Sequence, residues 1–144
     1  MTQTNQALNQ LQADATVFYQ ELRAFHWTVT GEKFFQLHKA FEDAYNRWTN
    51  HIDDIAERVV ITGGTPMLSL ASIMGSSKIQ EEPEVRSPKA MIESVVADSR
   101  HLLGTLANAI EVAESEGQRS TVNLLDGIRD EEEKALWMLS ALLK

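Results

Sequence analysis

Apolar residues recur at helical spacing on both sides of Gly31, and no stretch shows a strand pattern. Before the glycine, Leu8, Leu11, Ala15, Phe18, Leu22 and Phe25 form one stripe. After it, Phe34, Leu37, Phe41, Ala44, Tyr45, Trp48, Ile52, Ile55, Ala56 and Val59 continue on more than one side. Thr28, Val29 and Thr30 weaken helix continuation, and Gly31 permits the turn. The pattern predicts a helical hairpin, with a first helix over about residues 4–29 capped by Thr4 and a second over about 32–60. Gly63-Gly64-Thr65-Pro66 stops it. Ser87-Pro88 opens a third helix, the serine as N-cap and the proline at the first helical position, and Gly117 ends it after about Ser115. A fourth starts at Ser120 or Thr121 and runs to the C-terminus. The expectation is an all-α four-helix bundle, one domain over residues 1–144. The segment 63–87 is long for a bundle connection. Within it MLSLASIM, Met67 to Met74, places apolar residues at i, i+3, i+4 and i+7. This predicts a short extra helix in the crossover, lying across the bundle at an interface with a second copy.

At 144 residues the chain can bury a substantial core. It has no cysteine, which excludes disulfides and thiolate metal sites and fits a reducing cytoplasm. Its N-terminus, MTQTNQALNQLQ, has neither the basic nor the apolar region of a signal peptide, and no apolar run approaches the roughly 20 residues of a membrane span. Net charge is −8 and the first basic residue is Arg23. Phosphate neutralisation calls for a basic patch or tail, so neither strong direct nucleic-acid binding nor membrane association is expected.

Chemistry concentrates between His26 and Glu57. His26 and His38 are equidistant from position 32, so an antiparallel hairpin brings the imidazoles together. On the second helix, with His38 at 0°, Glu42 falls at about 40°, Asp53 at about 60° and Glu57 at about 100°. These four residues share a side, yet His38 and Asp53 stand about 22 Å apart along the axis. No single ion bridges that gap. An antiparallel copy of the same helix, crossing near Arg47 and Trp48, would bring the His38/Glu42 end of one chain to the Asp53/Glu57 end of the other. Two imidazoles with carboxylates and no thiolate suit Fe(II), Mn or Zn. The competing reading is an ordinary solvated acidic face with a structural histidine. His51, at about 220°, faces away from the ligand side. His101, mid-helix, reads as a packed or surface histidine.

One motif goes further. His26-Trp27, Val29, Gly31, Phe34, Leu37-His38 and Phe41, followed by Asp53 and Ala56-Glu57-Arg58, resembles the signature of the Dps family of ferritin-like mini-cages. The resemblance implies a ferritin-like bundle whose crossover lets the third helix run parallel to the second. It also implies a two-iron ferroxidase centre between subunits, with His26, His38 and Glu42 from one and Asp53 and Glu57 from its mate. Position 42 is commonly Asp in the family; Glu42 keeps the charge and adds a methylene. Trp27, a bulky residue read as closing the hairpin, would also lie beside the oxidation centre, where an indole absorbs stray oxidising equivalents. The implied activity is oxidation of Fe(II), with hydrogen peroxide preferred over oxygen, and storage of ferric mineral in a hollow dodecamer. Such cages line three-fold pores with acids. Aligning on Trp137 puts Asn123 and Arg119 at positions often acidic in the family, with Glu114, Asp126 and Asp130 nearby; Asp130 to Glu133 read equally well as a solvated face. Some members carry a lysine-rich N-terminal extension that binds DNA, which this sequence lacks. The alternative is a nucleoid-compacting structural protein. A di-iron centre within one bundle would use Glu-x-x-His pairs, and no histidine here has glutamate three residues before it.

Overall fold

Gly31 adopts φ +99°, a backbone region that L side chains rarely enter, and turns the chain back on itself. In the computed structural model, which describes Met1 to Lys144, the turn joins α1 (Gln3–Thr28) to α2 (Phe34–Ile61). A crossover containing α3 (Leu70–Ser76) leads to α4 (Pro88–Ser115) and α5 (Arg119–Ser140), followed by a 3-10 turn at Ala141–Leu143. The protein is all-α, as the periodicity predicted. No helix is long and apolar enough to cross a membrane.

Side-chain pairings establish the helix directions. Asn5 meets Thr62, Phe18 meets Trp48 and His26 meets His38, so α1 and α2 are antiparallel. Thr4 meets Glu116 and Asp14 meets His101, so α1 opposes α4; Arg47 meets Glu132 and Arg58 meets Thr121, so α2 opposes α5. Thus α2 and α4 point the same way, which is what the long crossover permits. The apolar stripes meet in a single cluster in which Phe18, Phe25, Phe41 and Trp48 contribute the bulk. Phe18 and Trp48 pack edge to face at 6.0 Å between ring centres.

Helix ends differ from the sequence expectation for local reasons. The cap of α1 is Thr2, not Thr4: its hydroxyl accepts from the Asn5 N–H at 3.1 Å. Thr4 lies inside the first turn, buried, where its N–H and hydroxyl both donate to the Glu116 carboxylate. Those bonds hold Glu116 below its ordinary pKa and tie the start of α1 to the end of α4. The second helix starts at Phe34 because the turn consumes residues 31–33, and the Phe34 N–H donates to the Gly31 carbonyl. It ends in a Schellman pair: the Gly64 N–H reaches the Val59 carbonyl and the Gly63 N–H the Val60 carbonyl, with Gly63 at φ +84°. The short helix covers 70–76, not 67–74. The Gln12 amide grips Met67 by both its N–H and its carbonyl, holding it out of the helix, and Ser69 becomes the cap. The fourth long helix opens at Arg119, a residue or two earlier than expected, with the Thr121 hydroxyl buried as acceptor for Arg58.

Contact between α2 and α5 is slight, and a groove of 420 Å³ separates them, lined by Phe41, Trp48, Met138 and Leu139 among others. Across it Glu132 accepts from Arg47 Nε and pairs with His51 Nε2, each at 2.9 Å. Glu132 is buried, which corrects the reading of 130–133 as a wholly solvated face. Burial pushes its carboxyl up, but the bonds from His51 and Arg47 outweigh that and leave its pKa below 4.5.

Two outcomes follow. Gly31→Ala should lower folding stability by about 1–2 kcal/mol, seen as a lower denaturant midpoint with an unchanged slope. Because the folded-state pKa of Glu132 is depressed, its stabilisation is complete above 4.5 and fades as pH falls through the lower folded value. Glu132→Gln should therefore cost about 2 kcal/mol near neutrality, with the gap to the parent closing in melts run at progressively lower pH.

Candidate metal centre

The hairpin register brings His26, at the end of α1, against His38, near the start of α2. Their rings stack at 3.7 Å between centres, 15° from parallel. Each Nδ1 lies on the other residue's main-chain carbonyl, His26 Nδ1 to His38 O at 2.6 Å and His38 Nδ1 to His26 O at 2.7 Å. A carbonyl oxygen only accepts, so both Nδ1 atoms carry a proton, and it is Nε2 on each ring that is left to offer a lone pair to a metal. This is the tautomer and the outer-shell support that a metal-ligating imidazole uses. Phe34 stacks on the far side of His38 at 5.0 Å, and Tyr45 packs edge-on against His26 at 5.3 Å. Both aromatic residues belonged to the apolar pattern; their spacing from His38, four before and seven after, signalled their place beside it.

Glu42 completes this cluster, its Oε1 3.7 Å from His26 Nε2. Asp53 and Glu57 lie on the exposed side of α2 toward its other end. Glu57 holds its proton more tightly than an ordinary glutamate, first through a hydrogen bond with Asp53 and then through the Asp53 charge, with desolvation and Asp54 adding less. Two acids one helical turn apart thus lack a positive partner. Within one chain no three His, Asp or Glu side chains converge on a point that could hold a metal ion. His26, His38 and Glu42 form one part of a possible ligand set, and Asp53 with Glu57 another.

Arg47 and Trp48, the residues expected near a crossing with a second copy, are both engaged within the chain: Arg47 turns to Glu132 and Trp48 is buried against Phe18. Tyr45, Asn46 and Thr49 occupy the same level of α2 on the carboxylate side. Trp27 does not close the hairpin either. It is 58 % exposed with the Arg23 guanidinium 4.9 Å from its ring centre, and Val29 fills the turn instead. His51 is occupied by Glu132, and His101 by the buried Asp14 at 2.8 Å. Glu114, Arg119, Asn123 and Asp126 border one polar depression at the start of α5, with Asp130 outside it.

The sequence pattern missed the buried acids Glu132, Glu21 and Asp14. A signal was present for two of them: Asp14 and Glu21 sit three residues after the core residues Leu11 and Phe18, on the apolar side of α1.

A protein-family model for the ferritin-like domain matches residues 5–144. The DNA protection during starvation protein of Brevibacillus brevis is 40% identical over 137 residues, 95% of this chain and 92% of that protein. The crystal structure of Dps from Staphylococcus aureus superposes with a TM-score of 0.95 at 33% identity, covering 99% of this chain and 97% of that one. Dps from Vibrio cholerae O1, described as a member of a broad superfamily of ferritin-like diiron-carboxylate proteins, gives 0.94 at 33% identity, with 98% and 89% covered. With that agreement in fold and in sequence over nearly its whole length, the chain belongs to the Dps family of ferritin-like proteins.

Proposed function

We propose that the protein is a cytoplasmic ferroxidase and iron store, oxidising Fe(II) at sites shared between two-fold related chains and holding the ferric product inside a hollow dodecamer. The observation that carries this reading is the crossed histidine pair, whose bonded Nδ1 atoms leave both Nε2 atoms to ligate, that of His26 lying 3.7 Å from Glu42 Oε1. His26, His38 and Glu42 bind Fe(II) from one chain; Asp53 and Glu57 of the mate supply the negative charge that stabilises the ferric product. Hydrogen peroxide, the preferred oxidant, takes one electron from each of two Fe(II) ions and, with two protons, leaves as two waters. Spending both electrons on a pair of ions avoids hydroxyl radical. The protein contributes geometry and charge, and iron the redox chemistry. Trp27, beside His26, takes up stray oxidising equivalents.

The exposed apolar residues of α2 favour the two-fold pairing. Phe35 is 81% and Val60 58% exposed on a single chain, and both fall on the side of His38 and Glu57. The antiparallel register that sets His38 against Glu57 and Glu42 against Asp53 also sets Phe35 against Val60. One pairing thus buries four apolar side chains, two from each chain, and completes two ligand sets.

The test is anaerobic Fe(II) titration followed by peroxide or oxygen, read as ferric absorbance. His38→Ala and Asp53→Ala should each lose rapid oxidation. Co-expressed, they should regain about a quarter of the parent sites, because half of random dimers are mixed and each mixed dimer keeps one intact site. Failure of the mixture to recover, with both variants folded and assembled, excludes the shared centre.

Relatives carry DNA protection in their names. Protection by this chain is assigned to removal of iron and peroxide, since a net charge of −8 repels phosphate. In a band-shift at low salt with duplex DNA and no divalent metal, the protein should leave the DNA unshifted. A shift there would favour direct compaction of DNA instead.

A further inference from the structure

At the seam between α1 and α4, under the crossover stretch 78–86, lies a cavity of 370 Å³ apart from the histidine cluster. Glu21 of α1 and Asp98 of α4 both line it, close enough to hydrogen-bond. Glu21 is 93% buried by its 7% exposure, and its Oε2 has no hydrogen-bond partner. The neighbouring Asp14 shows how this seam treats a carboxylate it keeps for structure alone. Fully buried, Asp14 accepts from the Lys78 N–H and Gln10 Nε2 on one oxygen and meets His101 Nε2 and Thr105 Oγ1 on the other. Glu21 has no such set of donors, although it occupies a position in the α1 stripe where an apolar residue would pack without penalty.

Two carboxyls at hydrogen-bond distance do not both ionise unless positive charge lies between them. Burial first, then the hydrogen bond and charge of Asp98, raise Glu21 to about 9, opposed by Arg86. A proton therefore fills that role near neutrality when no other cation is present. Arg86 does not fill it, because its guanidinium is engaged by Glu82 and by Ser94 Oγ. The cavity wall carries four carboxyls, Glu21, Glu81, Glu82 and Asp98, against the two cations Lys78 and Arg86, so its charge favours a further positive ion.

We propose that Glu21 and Asp98 together bind one hard divalent cation, of the Mg²⁺ or Mn²⁺ class, in exchange for the proton they share. No third Asp, Glu or His joins them in a metal-holding group, so water completes the coordination, the manner in which such ions bind through one or two carboxylates. The nearest imidazole, His101, is engaged by Asp14, which leaves an all-oxygen donor set and disfavours softer metals. The exchange balances: M²⁺ enters, both carboxylates become ligands, and one proton leaves to solvent. The bound ion would join α1 to α4 beneath the crossover. This inference does not depend on the iron reading.

Mn²⁺ titration of the full-length protein, followed by the EPR signal of free Mn²⁺, tests it. To silence the proposed iron site, His38→Ala/Asp53→Ala serves as a second background. Glu21→Gln keeps the shape and donor of the protonated acid, so its fold should persist, as circular dichroism would check. In both backgrounds Glu21→Gln and Asp98→Asn should each lose one bound Mn²⁺ per chain. Calorimetry of the parent at pH 7, in buffers of different ionisation enthalpy, should report about one proton released per ion at this site. Equal Mn²⁺ stoichiometry in the parent and a folded Glu21→Gln variant overturns the site, and binding at this site without proton release overturns the exchange.

Discussion

The reciprocal hydrogen bonds between His26 and His38 hold together three levels of this protein. They fix the register of α1 against α2, the tautomer of both rings and the direction in which two nitrogen lone pairs point. Sliding either helix by one residue would rotate its imidazole by about 100° and break both bonds. Phe34 and Tyr45 close around the pair, so the rings have little rotational freedom. Order of this kind would lower the cost of binding an ion there, because the two imidazoles are already placed.

The apolar core alone would not impose that register. Interdigitating Phe, Leu and Ile side chains tolerate several alignments at similar energy, whereas a buried polar group has few acceptable partners. The polar contacts accordingly stand where helices must be told apart or aligned. Glu116 receives the start of α1, Asp14 gathers donors from α1, α4 and the crossover, and Glu132 fastens α2 to α5 across a groove. Each satisfied carboxylate is costly to disturb. Glu21, lacking comparable donors, stands out against them.

Much of the candidate centre was legible because its logic is one-dimensional. The distances of His26 and His38 from the Gly31 turn predict their meeting, and helical periodicity assigns Glu42, Asp53 and Glu57 to one side of α2. Other features were hidden. Trp48 falls within one residue of the expected crossing, yet residue spacing does not say whether a ring points to its own bundle or to a second copy. Trp27 follows a candidate ligand and reads as filler for the turn, but it sits outside under Arg23 while the smaller Val29 takes the space. The caps moved for the same reason: Thr4 and Met67 are each claimed by a side chain from elsewhere in the fold, Glu116 and Gln12.

By itself the sequence determined the all-α class, the turn at Gly31, the long crossover and the sharing of one helical side by four potential ligands. Those properties follow from periodicity and from the backbone preferences of glycine, proline and serine, which act over a few residues. Only the tertiary structure decided that His26 and His38 lock each other's tautomers, that Glu132 is buried between Arg47 and His51, and that Glu21 lies against Asp98. Burial and hydrogen-bond partnership depend on what arrives from distant parts of the chain. A carboxylate that is ordinary in the linear pattern acquires its chemistry only when packing removes its water.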